Sequence, residues 1–427
     1  DLIMKIGVIL GRGVEGVGLT KNVVEFQKLF PQVEIFATID KLWGRMDSME
    51  FKCNFFRGAD WDTISKNTKK FPELLTCTNV VDRINQLDMC IVWSVPSKSH
   101  PEECVDNFIK LIDEIKVRKS LIQVDHKIHS INRNAKLKEI CERMDVLMCH
   151  NTDNPFGKWV RKNGIKTPLT DMGVGFNFTK EHWVPADEQD ARYIRWVGRL
   201  AMWKGPDVMI DLHENHFRDK GFITVLEGLE ASIQYPLVLY KDGFDKTHRR
   251  DVVNYFRKEK GIDDHLEKHP VYGSEEENKG AYLYSNYTHI DMIARMARGG
   301  FGSDLMYFKE NIYGNNVEYC HTDSFAAGVV PIFHKHFCDN VIHRKQGKPI
   351  SECEYTGTFG IDESNAASVL ESLTVLKDDD DMRDDVRNMA FEFWKEHCDA
   401  SIIYNDIIQK TLNFNEVESQ GLEAFFA

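Results

Sequence analysis

The chain has 427 residues, 42% of them hydrophobic, which at roughly 150 residues per domain suffices for two or three packed cores and is too apolar for disorder as the main state. Against 67 acidic side chains stand 54 basic ones, a formal charge of −13, so no global positive field draws the molecule onto a polyanion and any nucleic-acid contact has to be local. No run of 18 apolar residues occurs, and the ten cysteines include no C-x-x-C pair, which argues against a zinc ribbon and a disulfide framework and makes them reduced core residues.

Residues 1–3 read as a cloning remnant ahead of Met4, and the opening apolar run is too short for a signal sequence, so a soluble cytosolic protein is expected. The runs at 5–10, 34–39, 89–95, 120–125 and 145–150 predict strands buried on both faces, the pattern of a parallel sheet wrapped by helices. Between the first two, Leu19, Val23, Phe26 and Phe30 form one apolar helical stripe that Thr20 would help cap. Near 184–190 the chain turns polar, and a second α/β series begins with strands at 193–198, 222–228 and 329–333. Residues 380–412 predict two amphipathic helices that pack back across the first domain. The expected division is 1–187, 188–390 and the terminal helices of 391–427.

Gly11-Arg12-Gly13-Val14-Glu15-Gly16 satisfies G-x-G-x-x-G directly after a strand, and Gly18 follows at the approach to a helix, so backbone amides there can face phosphate or sugar oxygens. One reading is a nicotinamide-dinucleotide site, with Asp40 as the acid ending the second strand, later than the usual spacing of about twenty. Glycines that merely permit a tight turn account for part of the motif. The stretch Trp196-Val197-Gly198-Arg199-Leu200-Ala201-Met202-Trp203-Lys204-Gly205 sets a guanidinium and an ammonium after a strand and before a helix. Two such cations suit a diphosphate and stabilise its charge as it departs, the step that glycosyl transfer needs assisted. Downstream, Glu318 opens a helix and Asp323 follows, a carboxylate able to accept hydrogen bonds from two vicinal ribose hydroxyls.

These residues, with Glu227-Gly228-Leu229-Glu230, Gly300-Phe301-Gly302, the 318–333 block, Arg12 to Lys21 and Gln123-Val124-Asp125-His126, resemble the DNA alpha-glucosyltransferase family of T-even bacteriophages, colinearly from about residue 5 to 400. The resemblance implies an α/β GT-B fold, two Rossmann-like domains facing each other across a central cleft, the first for DNA and the second for a nucleotide sugar. It implies retaining transfer from a UDP-sugar to the hydroxymethyl group of 5-hydroxymethylcytosine in phage DNA, which would protect that DNA from nucleases in the cytoplasm of the infected host, with replication proteins as candidate partners. By position, Arg199 and Lys204 would hold the diphosphate, Asp323 the ribose, Glu318 the family's other cleft glutamate, and Gly16 and Gly18 the sugar-phosphate end. Asp125 and His126 would face the acceptor, with Arg133 beside them. Glutamate in the family stands where Asp323 does here, and histidine where Val124 does, so UDP-arabinose competes with UDP-glucose as donor. Other readings are a GT-B enzyme for a glycan, lipid or small molecule, and an NAD-dependent oxidoreductase.

For DNA, the local cations are Lys116, Arg118, Lys119, His126, Lys127, His129, Arg133, Lys136 and Lys138, followed by Lys158, Arg161, Lys162 and Lys166. A base in a duplex has to flip to enter a cleft, and Trp43, Trp61 or Phe56 are candidates for a wedge or stacking surface, although such aromatics are more often core. His334, His336, Cys338 and His343 match no standard metal spacing; no protein-bound metal is predicted, and a divalent ion remains only a possible stimulant. No membrane contact is expected.

Overall fold

The apolar runs become strands because each is covered on both faces. The computed structural model describes residues 4–14, 17–39, 52–58, 74–123, 131–150, 152–198, 205–228, 237–240, 243–245, 266–267, 289–305, 317 and 319–420. They fall into two units, one of residues 1–177 with 400–427, the other of 178–399.

The first unit carries a seven-stranded, wholly parallel sheet. Its strands are β1 (Ile6–Leu10), β2 (Glu34–Thr38), β3 (Cys53–Phe56), β4 (Met89–Ser94), β5 (Arg118–Gln123), β6 (Val146–Cys149) and β7 (Leu169–Asp171), in the order β3-β2-β1-β4-β5-β6-β7. The direction of winding reverses between β1 and β4, the topological switch point of a doubly wound sheet. Alternation with period two sends Ile9, Val92, Leu121 and Leu147 to one face, under helices α2 (Cys77–Ile84), α3 (Glu102–Glu114), α4 (Leu137–Cys141) and α5 (Pro155–Lys162). Val8, Leu10, Ile91, Trp93 and Ile122 face the other way, where Val23 and Phe26 of α1 (Val17–Leu29) meet Ile403, Tyr404 and Ile407. Helix α1 starts at Val17, so Thr20 lies inside its first turn and is not its cap.

Among its described residues the second unit has eight strands: β8 (Asp190–Gly198), β9 (Ile223–Gly228), β10 (Leu237–Tyr240), β11 (Gly243–Asp245), β12 (Leu266–Glu267), β13 (Gly299–Asp304), β14 (Val330–His334) and β15 (Phe359–Ile361), in the order β12-β11-β10-β9-β8-β13-β14-β15. Pairing is parallel from β9 through β15 and antiparallel where β10 meets β9 and β11. The second switch point lies between β8 and β13. One face packs Ile194, Trp196, Phe301 and Ile332 against α6 (Pro206–Leu212) and, through Leu370 and Leu373, against α10 (Ala366–Asp378). The other sets Val197 and Val329 against α7 (His289–Ala297) and Ala327 of α8 (Tyr319–Ala327). Helix α9 (Lys335–Asn340) follows β14.

Polar groups fasten the connecting segment near 184–189. From α11 (Asp380–Cys398), the buried Arg383 donates to the carbonyls of Ala186 at 2.6 Å and Leu376 at 2.8 Å, to Gln189 at 3.3 Å and to Asp380 at 2.6 Å. Arg387 donates to the carbonyls of Val184 and Gly328 and lies over the Trp183 ring. The chain then returns to the first unit as α12 (Ala400–Gln420), where Tyr404 Oη donates to the carbonyls of Asn22 at 3.2 Å and Gly175 at 3.1 Å. A Cβ on Gly175 would lie 2.7 Å from the Tyr404 ring, so only glycine admits this helix at that depth.

Candidate functional site

Both sheets place the motif loops at the carboxyl ends of strands beside a switch point, where open α/β sheets bind ligands. In the first unit the loop after β1 is drawn against β4. A Cβ on Gly11 would fall 2.6 Å from the Phe108 ring and 2.8 Å from the Ser94 carbonyl, and Gly13 turns at φ 78°. Gly11 N–H donates to Ser94 O at 2.9 Å and Arg12 N–H to Ser94 Oγ at 3.2 Å, while the Arg12 guanidinium donates to Asn134 Oδ1. Gly16 lies outside the described residues. Gly18 belongs to the first turn of α1, whose leading N–H groups have no partner within the helix, the property that makes such turns receptive to anions.

Val124, Asp125, His126, Lys127 and His129 lie outside the described residues, as do Trp43, Trp61 and Asp40. The chain re-enters at Ile131, and the exposed Arg133 accepts from Lys98 N–H at 2.7 Å through its carbonyl. Phe56 is 1% exposed within the helix-covered face of the first sheet, so it is core and not a wedge.

In the second unit Arg199 and Lys204 lie outside the described residues, but both ends of their segment are placed. Gly198 ends β8, and Gly205 precedes Pro206 at the first turn of α6 with φ 75°. A Cβ on Gly205 would sit 2.1 Å from the Leu305 carbonyl, so glycine lets the start of α6 lie on the end of β13, across the switch point. Glu318 also lies outside the described residues. Asp323 is 2% exposed in α8, and the reason for its depth is glycine again: a Cβ on Gly302 of β13 would meet Ser324 Oγ at 2.4 Å. At the end of α8, Gly328 turns at φ 65° against the Trp183 indole, whose Nε1 donates to the Phe325 carbonyl at 2.9 Å.

The sequence reading overlooked Asp304. It ends β13, fully buried, with its carboxylate 3.9 Å from Nδ1 of the equally buried His321, whose ring stacks on Phe337 at 4.0 Å. An acid closing a strand next to a switch point was the available signal, concealed because G-G-F-G-S-D has a single residue that advertises a strand, Phe301.

The basic cluster proposed for DNA is neutralised only in part. Lys136 pairs with Asp106 at 2.5 Å, Lys138 with Glu142 at 3.8 Å, Arg118 with Asp145 at 3.2 Å and Arg161 with Asp153 at 3.3 Å. The hydrogen bond it donates to Asp106, with the charge of that carboxylate, holds the Lys136 ammonium to its proton above the ordinary lysine range. Among the described residues Lys98, Lys116, Lys119, Arg133, Lys158, Lys162 and Lys166 carry no ion pair.

None of the ten cysteines forms a disulfide. Burial pushes Cys90 and Cys338 up to about 12, far from thiolate chemistry. No group of three or more His, Cys, Asp or Glu that could hold a metal occurs among the described residues. His334 Nδ1 accepts from His336 N–H, and His343 is bonded at both nitrogens, to the Phe393 carbonyl and from Gln346 N–H. No helix among the described residues is long and apolar enough to cross a membrane.

The sequence pattern of the DNA alpha-glucosyltransferase family matches residues 62–381. The chain belongs to this family. It is 28% identical to the DNA alpha-glucosyltransferase of Enterobacteria phage T4 over 440 residues, covering 95% of this chain and all of that protein. A solved alpha-glucosyltransferase in complex with UDP-glucose and DNA containing an abasic site superposes with a TM-score of 0.77 at 26% identity, over 96% of this chain and 99% of that one. Another, with UDP and a 13-mer DNA containing a HMU base, gives 0.76 at 27% identity over the same shares. Membership in the DNA alpha-glucosyltransferase family makes the fold GT-B and the chain a glycosyltransferase, and it removes the nicotinamide reading of the glycine loop.

Proposed function

We propose that this protein transfers glucose from UDP-glucose to the hydroxymethyl group of 5-hydroxymethylcytosine in DNA, with retention at the anomeric carbon. What carries the reading is the match to a DNA alpha-glucosyltransferase along 95% of the chain, with its motif loops at both switch points. The first unit receives the DNA and the second the nucleotide sugar. Arg199 and Lys204 hold the diphosphate and Asp323 the ribose; Glu318 is the second carboxylate of the donor site, and amides at Gly16 and Gly18 approach the sugar-phosphate end. Asp125 accepts a hydrogen bond from the acceptor hydroxyl, His126 lines the acceptor, and Arg133 meets the backbone of the DNA.

Retention without a dedicated protein nucleophile follows a front-face route. The hydroxymethyl oxygen attacks from the side that UDP leaves, and the departing phosphate oxygen takes the hydroxyl proton. The protein's main contribution is then charge stabilisation by Arg199 and Lys204, with Asp125 orienting the attacking oxygen. A duplex substrate has to extrude its base. In this reading the modification protects phage DNA from nucleases in the infected host, and replication proteins are candidate recruiters.

The test is incubation with UDP-glucose or UDP-arabinose and DNA with or without 5-hydroxymethylcytosine, reading the nucleosides by mass. A hexosyl adduct on the modified base alone is expected. A pentosyl adduct in preference would move the donor to UDP-arabinose, the change that Asp323 in place of glutamate and Val124 in place of histidine make worth testing. Transfer to an oligosaccharide and never to DNA would reject the acceptor.

A further inference from the structure

We propose that Arg12 is a positioning residue for sugar transfer, which through Asn134 sets the spacing between the glycine loop after β1 and the acceptor segment after β5. The inference rests on the transfer reading above. Three segments leave the carboxyl edge of the first sheet side by side. The first and second are joined by Gly11 N–H and Arg12 N–H at Ser94. The second and third are joined by the Ser97–Asn134 bridge, by Lys98 N–H at the Arg133 carbonyl and by Ala135 N–H at the Pro96 carbonyl, 2.8 Å. The Arg12–Asn134 bond spans directly from the first segment to the third, between side chains 122 positions apart.

Asn134 is 3% exposed, where a charge-assisted hydrogen bond is stronger than at the surface. Its Nδ2 has no hydrogen-bond partner among the described residues, so the bond from Arg12 to Oδ1 is what orients the amide. Arg12 leads within six residues to both donor-loop glycines, and Asn134 follows the acceptor pair Asp125 and His126 by nine and eight. Among the described residues, severing the bond leaves the two segments registered through the loop after β4, and a slip between donor and acceptor is costly because bringing reactants into line is a large share of transfer catalysis.

The experiment compares Arg12→Ala, Asn134→Leu, their double mutant and Asn134→Asp, whose carboxylate accepts the same bond. Expected for Arg12→Ala and Asn134→Leu is a kcat for transfer to hydroxymethylated DNA lower by about 10- to 100-fold. UDP affinity by calorimetry should stay within about twofold of the wild type, the double mutant should fall no further than either single change, and Asn134→Asp should recover most of the rate. An unchanged kcat in folded Arg12→Ala, or a loss of UDP affinity as large as the loss of rate, would overturn the proposal. If the wild type transfers no sugar, the transfer reading fails, and amide exchange at 131–136 decides the strut separately. Protection lost in Arg12→Ala and Asn134→Leu but kept in Asn134→Asp supports it, whereas unaltered protection refutes it.

Discussion

The two units solve one problem by different means. Each has to hold a motif loop over the end of a parallel strand beside a switch point. In the first unit hydrogen bonds do it, with Arg12, Ser94, Ser97 and Asn134 lacing three loops together. In the second the absence of a side chain does it: Gly205 lies on the Leu305 carbonyl, Gly302 under Ser324 and Gly328 on Trp183. Polar lacing tolerates conservative exchange, because another acceptor can take the bond. Glycine contacts tolerate nothing, because the space is already filled.

The sharpest way to separate the units is acid. Burial lowers His334 to about 4 and His397 to about 3, both in the second unit, against a usual value near 6.5. Because their folded values lie below the unfolded one, the stability they contribute is complete above pH 6.5 and is lost as pH falls toward 4. The loss is on the order of 3 kcal/mol for each histidine. Amides of β14 and α11 should therefore lose exchange protection before those of β4 and β5 as pH is lowered; the reverse order would refute the assignment.

Next in size is Tyr404→Ala, which empties the space between Phe26 and Trp93 where α12 meets the first unit. About 4 kcal/mol of stability should be lost, seen by denaturant titration, with UDP affinity of the surviving folded fraction kept. Gly205→Ala should act oppositely. Positive φ and the Leu305 carbonyl make it cost about 2 kcal/mol in stability, and UDP binding by calorimetry should fall by more than about tenfold because the Arg199–Lys204 segment is displaced. Unaltered UDP affinity would break the contrast between the two edges. The smallest effect belongs to Lys136→Gln. Its charge is already answered by Asp106, so the salt slope of DNA binding should hardly change, whereas Lys162→Gln, free of an ion pair, is the better probe for a lower slope.

Much of the framework was legible from local patterning. The apolar runs at 5–10, 89–95, 145–150 and 193–198 are strands, since a segment buried on both faces has to be apolar throughout. The central strand β13 was not, because three glycines in six residues suppress strand propensity; they stand there so that α8 and β8 can approach. Of the site residues, Gly18, Asp323 and Arg133 are placed by the structure; the last two are one buried and one exposed, a difference that no spacing in the sequence distinguishes.

Sequence by itself determined the alternation of strand and helix, the free cysteines and the motif loops at strand ends, because periodicity and turn chemistry act over a few residues. The tertiary structure decided the rest. Phe56 is core, Lys136 is paired, Asp304 faces His321 and Arg12 reaches Asn134. Those facts depend on which distant segments the sheets bring side by side, and a contact across 122 positions leaves no local pattern to read.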